Sequence, residues 1–210
     1  MIALIDYGAG NLTSVRKGFA FVGAELFTPA TPDEVERARG IVVPGVGNFG
    51  ATSALQGSWT EAIRTAVDRG VPLLGICLGL QWLFEGSDEA PDVAGLGAIA
   101  GTCSRLPQTN GLKVPHVGWN SLHVPRASRL LDGVAENAQV YFTHSYAAPV
   151  TSETAATCEH GAMFAAAIES GNIFGVQFHP EKSSEPGLRI LRNFVAVTLE
   201  GESEGRSPSE

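Results

Sequence analysis

The segment Gly75-Ile76-Cys77-Leu78-Gly79 constrains the fold more than any other, because it sets a cysteine between two glycines where an apolar run, residues 71–76, meets a helical pattern. A chain turning sharply from strand to helix holds its central residue in strained dihedrals and presses the neighbours against backbone. The flanking positions therefore have to lack side chains. This is the spacing of a nucleophile elbow with sulfur in place of a serine oxygen. The sulfur would lie over the helix N-terminus, whose unpaired N–H groups favour a thiolate, and the Leu78 N–H would face a developing oxyanion. Spacing alone leaves a second reading open, in which Cys77 is a small buried residue at a strand end.

The rest of the chain repeats the strand-then-helix rhythm. Apolar runs at residues 2–5, 41–43 and 71–76 each precede a turn and a helical pattern, which predicts a mainly parallel sheet flanked by helices. In the first helix Leu12, Val15, Phe19 and Val22 share a face that stops at Gly23. Thr31-Pro-Asp-Glu34 and Ser58-Trp-Thr-Glu61 read as capping boxes, the second opening a helix with Ala62, Ile63, Ala66 and Val67 inward. The second half changes to short runs at 111–124, 139–146, 155–158 and 162–169, punctuated by Asn-Gly, His-Gly and Ser-Gly-Asn, and these read as antiparallel hairpins added to the open sheet. A last strand over 173–178 leads into a helix with Leu188, Leu191, Phe194 and Val195 inward. The expected organisation is one domain over residues 1–199 and a frayed tail over 200–210, which holds Gly, Ser, Pro and charge without an apolar anchor.

Charge narrows the partners. With 14 Lys+Arg against 22 Asp+Glu the net charge is -8, and no basic run offers the positive surface that nucleic acid or an anionic membrane demands. The longest apolar stretch, 71–84, is interrupted by Gln81 and falls short of the ~20 residues that cross a bilayer, so it reads as a core element. No secretory leader is recognisable, and the cytoplasm is the expected compartment. Three cysteines at wide spacing, Cys77, Cys103 and Cys158, form neither a disulfide set nor a metal motif. No metal or cofactor is expected, and Cys103 and Cys158 read as structural.

A base for a Cys77 nucleophile is available in His179-Pro180-Glu181, which the last strand delivers at its C-terminal end, where catalysis gathers in open parallel sheets. Proline forces His179 into an extended conformation, and residues two apart in extended chain project to one side, so Glu181 can orient the imidazole. Cys77, His179 and Glu181 thus make a plausible triad. Gly45-Val46-Gly47-Asn48-Phe49-Gly50 has two readings: a dinucleotide fingerprint opening a helix, or a backbone segment beside Cys77 that supplies a second N–H to an oxyanion hole.

Taken together these residues resemble the class-I, triad-type glutamine amidotransferases over nearly the whole chain. The carriers are Gly75-Ile-Cys-Leu-Gly-Leu-Gln81, Pro44-Gly-Val-Gly47 and Gly175-Val-Gln-Phe-His-Pro-Glu-Lys-Ser183. Asp6-Tyr-Gly-Ala-Gly-Asn11, Pro115-His-Val-Gly-Trp-Asn120 and Tyr141-Phe-Thr-His-Ser-Tyr146 are similar, more narrowly, to the branch of glutaminase subunits found in imidazole glycerol phosphate synthases. The resemblance implies that Cys77 attacks the side-chain amide of L-glutamine, with His179 and Glu181 completing the triad. It implies an oxyanion hole from the N–H groups of Val46 and Leu78, and a glutamine pocket from Gly45, Gly47, Gln81, Ser145 and Tyr146. It further implies that ammonia passes, for histidine biosynthesis, to a cyclase subunit with a (β/α)8 barrel, and that Asn11, Trp119 and Lys182 face that partner. A glutaminase serving another synthase, of the anthranilate or aminodeoxychorismate type, stays open, as does a dinucleotide-binding module built on residues 45–50.

Overall fold

The computed structural model describes residues 1–109 and 111–200. The expected frayed tail, apart from Glu200, and Asn110 of the expected Asn-Gly punctuation lie outside the described residues.

Strands β1 (Ile2–Leu4), β2 (Leu26–Phe27), β3 (Gly40–Gly45) and β4 (Leu73–Cys77) alternate with helices α1 (Leu12–Phe21) and α2 (Ser58–Asp68), and β4 runs without a break into α3 (Leu78–Leu83). Three of the seven strands of the central sheet, β1, β3 and β4, follow from the apolar runs. β3 and β4 are buried at every position, as strands covered on both faces must be. Residues 71–84 therefore form the centre of the molecule, half strand and half helix, and no helix among the described residues is long and apolar enough to cross a membrane.

The second half adds short strands: β5 (Gly86–Ser87), β6 (Thr102–Arg105), β7 (His116–Ser121), β8 (Gln139–His144), β9 (Tyr146–Ala147), β10 (Thr154–Glu159), β11 (Met163–Ser170) and β12 (Ile173–Val176), before the closing helix α4 (Ser184–Glu200). The added strands separate into three groups, one of them the small sheet β5-β6-β9. β10, β11 and β12 join the central sheet, giving the order β10-β11-β12-β4-β3-β1-β2, whereas β7 and β8 pair only with each other. β12 lies parallel to β4 in the register Val176↔Ile76, and β3 lies parallel on its other side with Gly45↔Cys77 as the last pair. Cys77 thus stands at the C-terminal edge of the sheet, between the segments that follow β3 and β12.

Several local expectations are corrected. Thr31 caps nothing with its side chain, and the segment behind it, Pro32–Arg37, winds as a 3-10 helix. Three residues per turn shift Glu34 so that its carboxylate accepts the Ala30 N–H instead. Ser58 lies inside α2 behind an N-cap at Gly57, without a side-chain cap bond. Residues after Gly47 enter a 3-10 helix, Phe49–Leu55, and not an α-helix. In α4 the buried positions are Gly187, Ile190, Leu191, Phe194, Val197 and Thr198. They follow the 3.6-residue period, with Leu188 and Val195 flanking the stripe.

Candidate active site

Cys77 carries φ 54 and ψ -104, a conformation that costs a non-glycine residue of order 1–3 kcal/mol and persists only where the surroundings enforce it. They do so through the two glycines. A Cβ on Gly79 would fall on the Val43 carbonyl oxygen, and one on Gly75 would meet the Gly79 carbonyl. The elbow is therefore fixed by backbone packed on backbone.

The sulfur is held from two sides, with the Gln177 side-chain Nε2 3.6 Å away and the Thr143 carbonyl at 3.9 Å. His179 follows β12, and its main-chain N–H donates to the Tyr141 carbonyl at 2.9 Å. Its Nδ1 lies 2.9 Å from Glu181 Oε1, with the two side chains only 3% and 1% exposed. The contact forms, though not by the extended-chain spacing: only His179 is extended, and Pro180–Lys182 winds as a 3-10 helix that brings Glu181 back onto the imidazole. Burial by itself would lower the His179 pKa, but hydrogen bonding and charge from Cys77 and Glu181 raise it to about 10. That coupling identifies Cys77 as the neighbour of Nε2, an atom with no hydrogen-bond partner of its own among the described residues. A base raised in this way and set beside a thiol is arranged to take that thiol's proton.

Two residues that sequence reading passed over support this line. Ser183 Oγ donates to the His179 carbonyl at 2.6 Å and accepts the Tyr141 N–H at 2.9 Å, which locks the turn carrying Glu181 against β8. Gln177 has no exposed surface and reaches from Cys77 to Gln81. Ser183 lies inside a motif the sequence already singled out. Gln177 lay there too, but its direction was not readable.

A cleft of about 210 Å³ opens beside the sulfur, lined by Gly47, Cys77, Leu78, Gln81, Glu89, Pro115, Thr143, His144, Ser145 and Tyr146. It is smaller than the ~300–1,000 Å³ of sites for drug-sized ligands and suits an amino acid better than a dinucleotide. Of the residues assigned to a glutamine pocket, Gly47, Gln81, Ser145 and Tyr146 line it, but Gly45 does not. Gly45 is buried against the Tyr7 hydroxyl and Leu78, because it is the last residue of β3. Glu89 brings a carboxylate to the cleft, and no spacing in the sequence announced it.

The oxyanion expectation for Val46 needs a larger correction. Its N–H donates to the Ala9 carbonyl at 3.1 Å and is aimed away from Cys77. A trans peptide sets C=O and N–H on opposite sides, so the Gly45 carbonyl of that peptide faces the β4 side, where a donor is needed. Residues 45–50 fit a dinucleotide no better. The Phe49 N–H is taken by Glu89 Oε2 at 2.7 Å and the Gly50 N–H by Asn48 Oδ1 at 2.7 Å, so a carboxylate occupies the place a pyrophosphate would need.

The three residues assigned to a partner surface divide. Trp119 is exposed on β7, its ring edge-to-face with Tyr141 at 6.1 Å, and the Lys182 ammonium stands 5.8 Å from the same Tyr141 ring. Trp119 and Lys182 therefore share one patch. Asn11 is exposed as well, and its Oδ1 accepts the Ser14 N–H as the N-cap of α1.

Comparison with known proteins places this geometry. The family model for glutamine amidotransferase class-I matches residues 3–197. The chain is 48% identical over 197 residues to "Imidazole glycerol phosphate synthase subunit HisH" of Moorella thermoacetica, covering 92% of this chain and 93% of that protein. It is 41% identical over 205 residues to "Imidazole glycerol phosphate synthase hisHF, chloroplastic" of Arabidopsis thaliana, covering 95% of this chain and 34% of that longer protein. Among solved structures it resembles PurLQS from Thermotoga maritima, with TM-score 0.74 at 19% identity over 93% of this chain and 97% of that one. The glutaminase domain of Trypanosoma brucei CTPS gives TM-score 0.66 at 17% identity over 95% and 93%. These two likenesses speak for the fold.

Proposed function

The chain belongs to the class-I glutamine amidotransferases, and on that premise we propose that it is the glutaminase subunit of an imidazole glycerol phosphate synthase. Residues 1–199 form its catalytic unit, working in the cytoplasm beside a cyclase subunit of (β/α)8 fold. The fused plant relative, whose name joins both activities in one chain, supports a partner of that kind. The observation that carries the proposal is the buried line from Cys77 through His179 to Glu181, opening on a cleft sized for an amino acid.

Cys77 Sγ attacks the side-chain amide carbon of glutamine. Its charge passes to the amide oxygen, and His179 gives its proton to the departing nitrogen as the C–N bond breaks. Ammonia leaves, the glutamyl group stays on sulfur as a thioester, and water activated by the now neutral His179 releases glutamate. Glu181 holds the imidazole tautomer throughout. Ser145, Tyr146 and Gln81 bind the substrate, and Glu89 is the carboxylate placed for its α-ammonium group.

The oxyanion in this cycle draws on the Leu78 N–H and on the Val46 N–H once the Gly45–Val46 peptide has rotated. Docking of the cyclase on the patch of Trp119 and Lys182, with Asn11 at the head of α1, supplies the bias for that rotation. The test is glutamate release by the free chain, with the barrel cyclase, and with cyclase plus its ribonucleotide substrate. A large rise in the last mixture alone is expected. Turnover unaffected by that cyclase but stimulated by an anthranilate-type partner would overturn the assignment.

A further inference from the structure

Gln177 lies where the chain leaves β12, its main-chain N–H given to the Ala166 carbonyl at 2.8 Å and its side chain fully buried. The orientation of that side chain is fixed by a sequence of partners. The Tyr146 carbonyl can only accept, so the Gln81 atom 2.8 Å from it is Nε2. The same Nε2 stands 3.2 Å from the Gln177 side chain, which must therefore present its oxygen there. Its amide nitrogen is then the atom left for Cys77 Sγ. Flipping the Gln177 amide would set nitrogen against nitrogen at one end and oxygen against a thiolate at the other. With both Nε2 protons of Gln81 engaged, the Gln81 oxygen is the atom free to face the cleft it lines.

We propose that Gln177 is a positioning residue for glutamine hydrolysis: its N–H holds the Cys77 sulfur as an acceptor beside His179, and its carbonyl oxygen fixes the Gln81 amide with its oxygen toward the substrate. An N–H aimed at a sulfur is stronger when the sulfur is charged, so Gln177 favours the thiolate as well as its direction. One buried amide thereby couples the nucleophile to the substrate pocket. The kinetic part rests on the glutaminase reading, whereas the hold on sulfur does not.

The test uses Gln177→Met, which removes both contacts without adding charge, and Gln177→Glu, which keeps an acceptor for Gln81 but sets a carboxyl in place of the N–H at sulfur. The rate of Cys77 alkylation by iodoacetamide is followed against pH in the free chain, and kcat and KM for glutamine are measured with the cyclase partner. The titratable groups around the sulfur are His179 and Tyr7, with Glu181 and His144 one step behind and Glu89 in the same cleft. Both variants leave all five in place, and because Gln177→Glu adds a carboxyl whose charge also opposes the thiolate, the Met variant isolates the N–H. Both should move the half-maximal pH of alkylation upward by about one unit, a tenfold loss of thiolate at a given pH, and lower kcat by about tenfold or more. Gln177→Met should also raise KM several-fold, with Gln177→Glu leaving KM within about twofold. A structural role alone would lower the melting temperature while leaving the alkylation profile in place, and that result in either folded variant overturns the proposal. Gln177→Leu, uncharged and smaller, carries the test if the Met variant does not fold. A shifted profile in a chain that hydrolyses no glutamine with any partner would refute the glutaminase reading and leave the hold on sulfur standing.

Discussion

The elbow at Cys77 and the segment Pro44–Gly47 face each other across the end of one parallel ladder, yet they are held in opposite ways. At the elbow, backbone lies on backbone, and the strained dihedrals of Cys77 have no alternative. In the facing segment Val46 and Gly47 are exposed, and a single hydrogen bond to Ala9 decides which way one peptide points. The proposed nucleophile and its base are thus assembled in the isolated chain while half of the proposed oxyanion hole is turned away. A glutaminase built in this manner keeps its cysteine and base together and holds back the electrostatic stabilisation, which is often the largest catalytic contribution.

Replacing the nucleophile breaks the assembled half outright. Cys77→Ala should lower glutamate release by more than about 10^4-fold. It should also let the His179 titration fall from about 10, since a partner that raises it is gone, which imidazole NMR reads directly. In the wild type a value raised above the ordinary ~6.5 stabilises the fold fully below that pH. The contribution is lost as pH climbs through about 10, a decline that denaturant midpoints across the range would register.

The unassembled half is next. Val46→Pro removes the N–H from both orientations of the peptide and should reduce partner-stimulated turnover by about 10²–10³-fold. The free chain should lose less, so the ratio of stimulated to basal rate collapses. Stimulation that survives this change would mean that the second donor is not Val46.

Glycines give the smallest and cleanest contrast. Gly79→Ala has to displace the Val43 carbonyl and should cost about 3 kcal/mol or more by denaturant unfolding. Gly47→Ala meets no atom within 4 Å at φ +96, and its cost of about 1 kcal/mol comes from the dihedral alone. Equal costs would erase the distinction between a packed elbow and an open segment.

The same contrast explains what was legible beforehand. The strands of the parallel core and the elbow are written within a few residues of chain, where sterics and the strand period act directly, and the contact of His179 with Glu181 is equally local although a 3-10 turn makes it. The capping boxes at Thr31 and Ser58 do not form, because Pro32–Arg37 winds as a 3-10 helix and α2 takes Gly57 as its N-cap, which moves both motifs out of α-helical register. The stripe on α4 moved by a residue or two for a like reason: Gly187 packs against the Pro180 carbonyl and sets the rotation of the helix.

By itself the sequence determined a strand-to-helix turn around one cysteine, a base and its orienting carboxylate on a second strand end, and a family whose pattern covers both. Only the tertiary structure decided where the Val46 N–H points, that Glu89 closes the cleft, and that Gln177 bridges Cys77 and Gln81. The physical reason is competition. A side chain's reach along its own chain is fixed by covalent geometry, whereas a peptide or amide with several partners in range takes the one that folding brings nearest, and those partners lie 37 to 100 residues away in the chain.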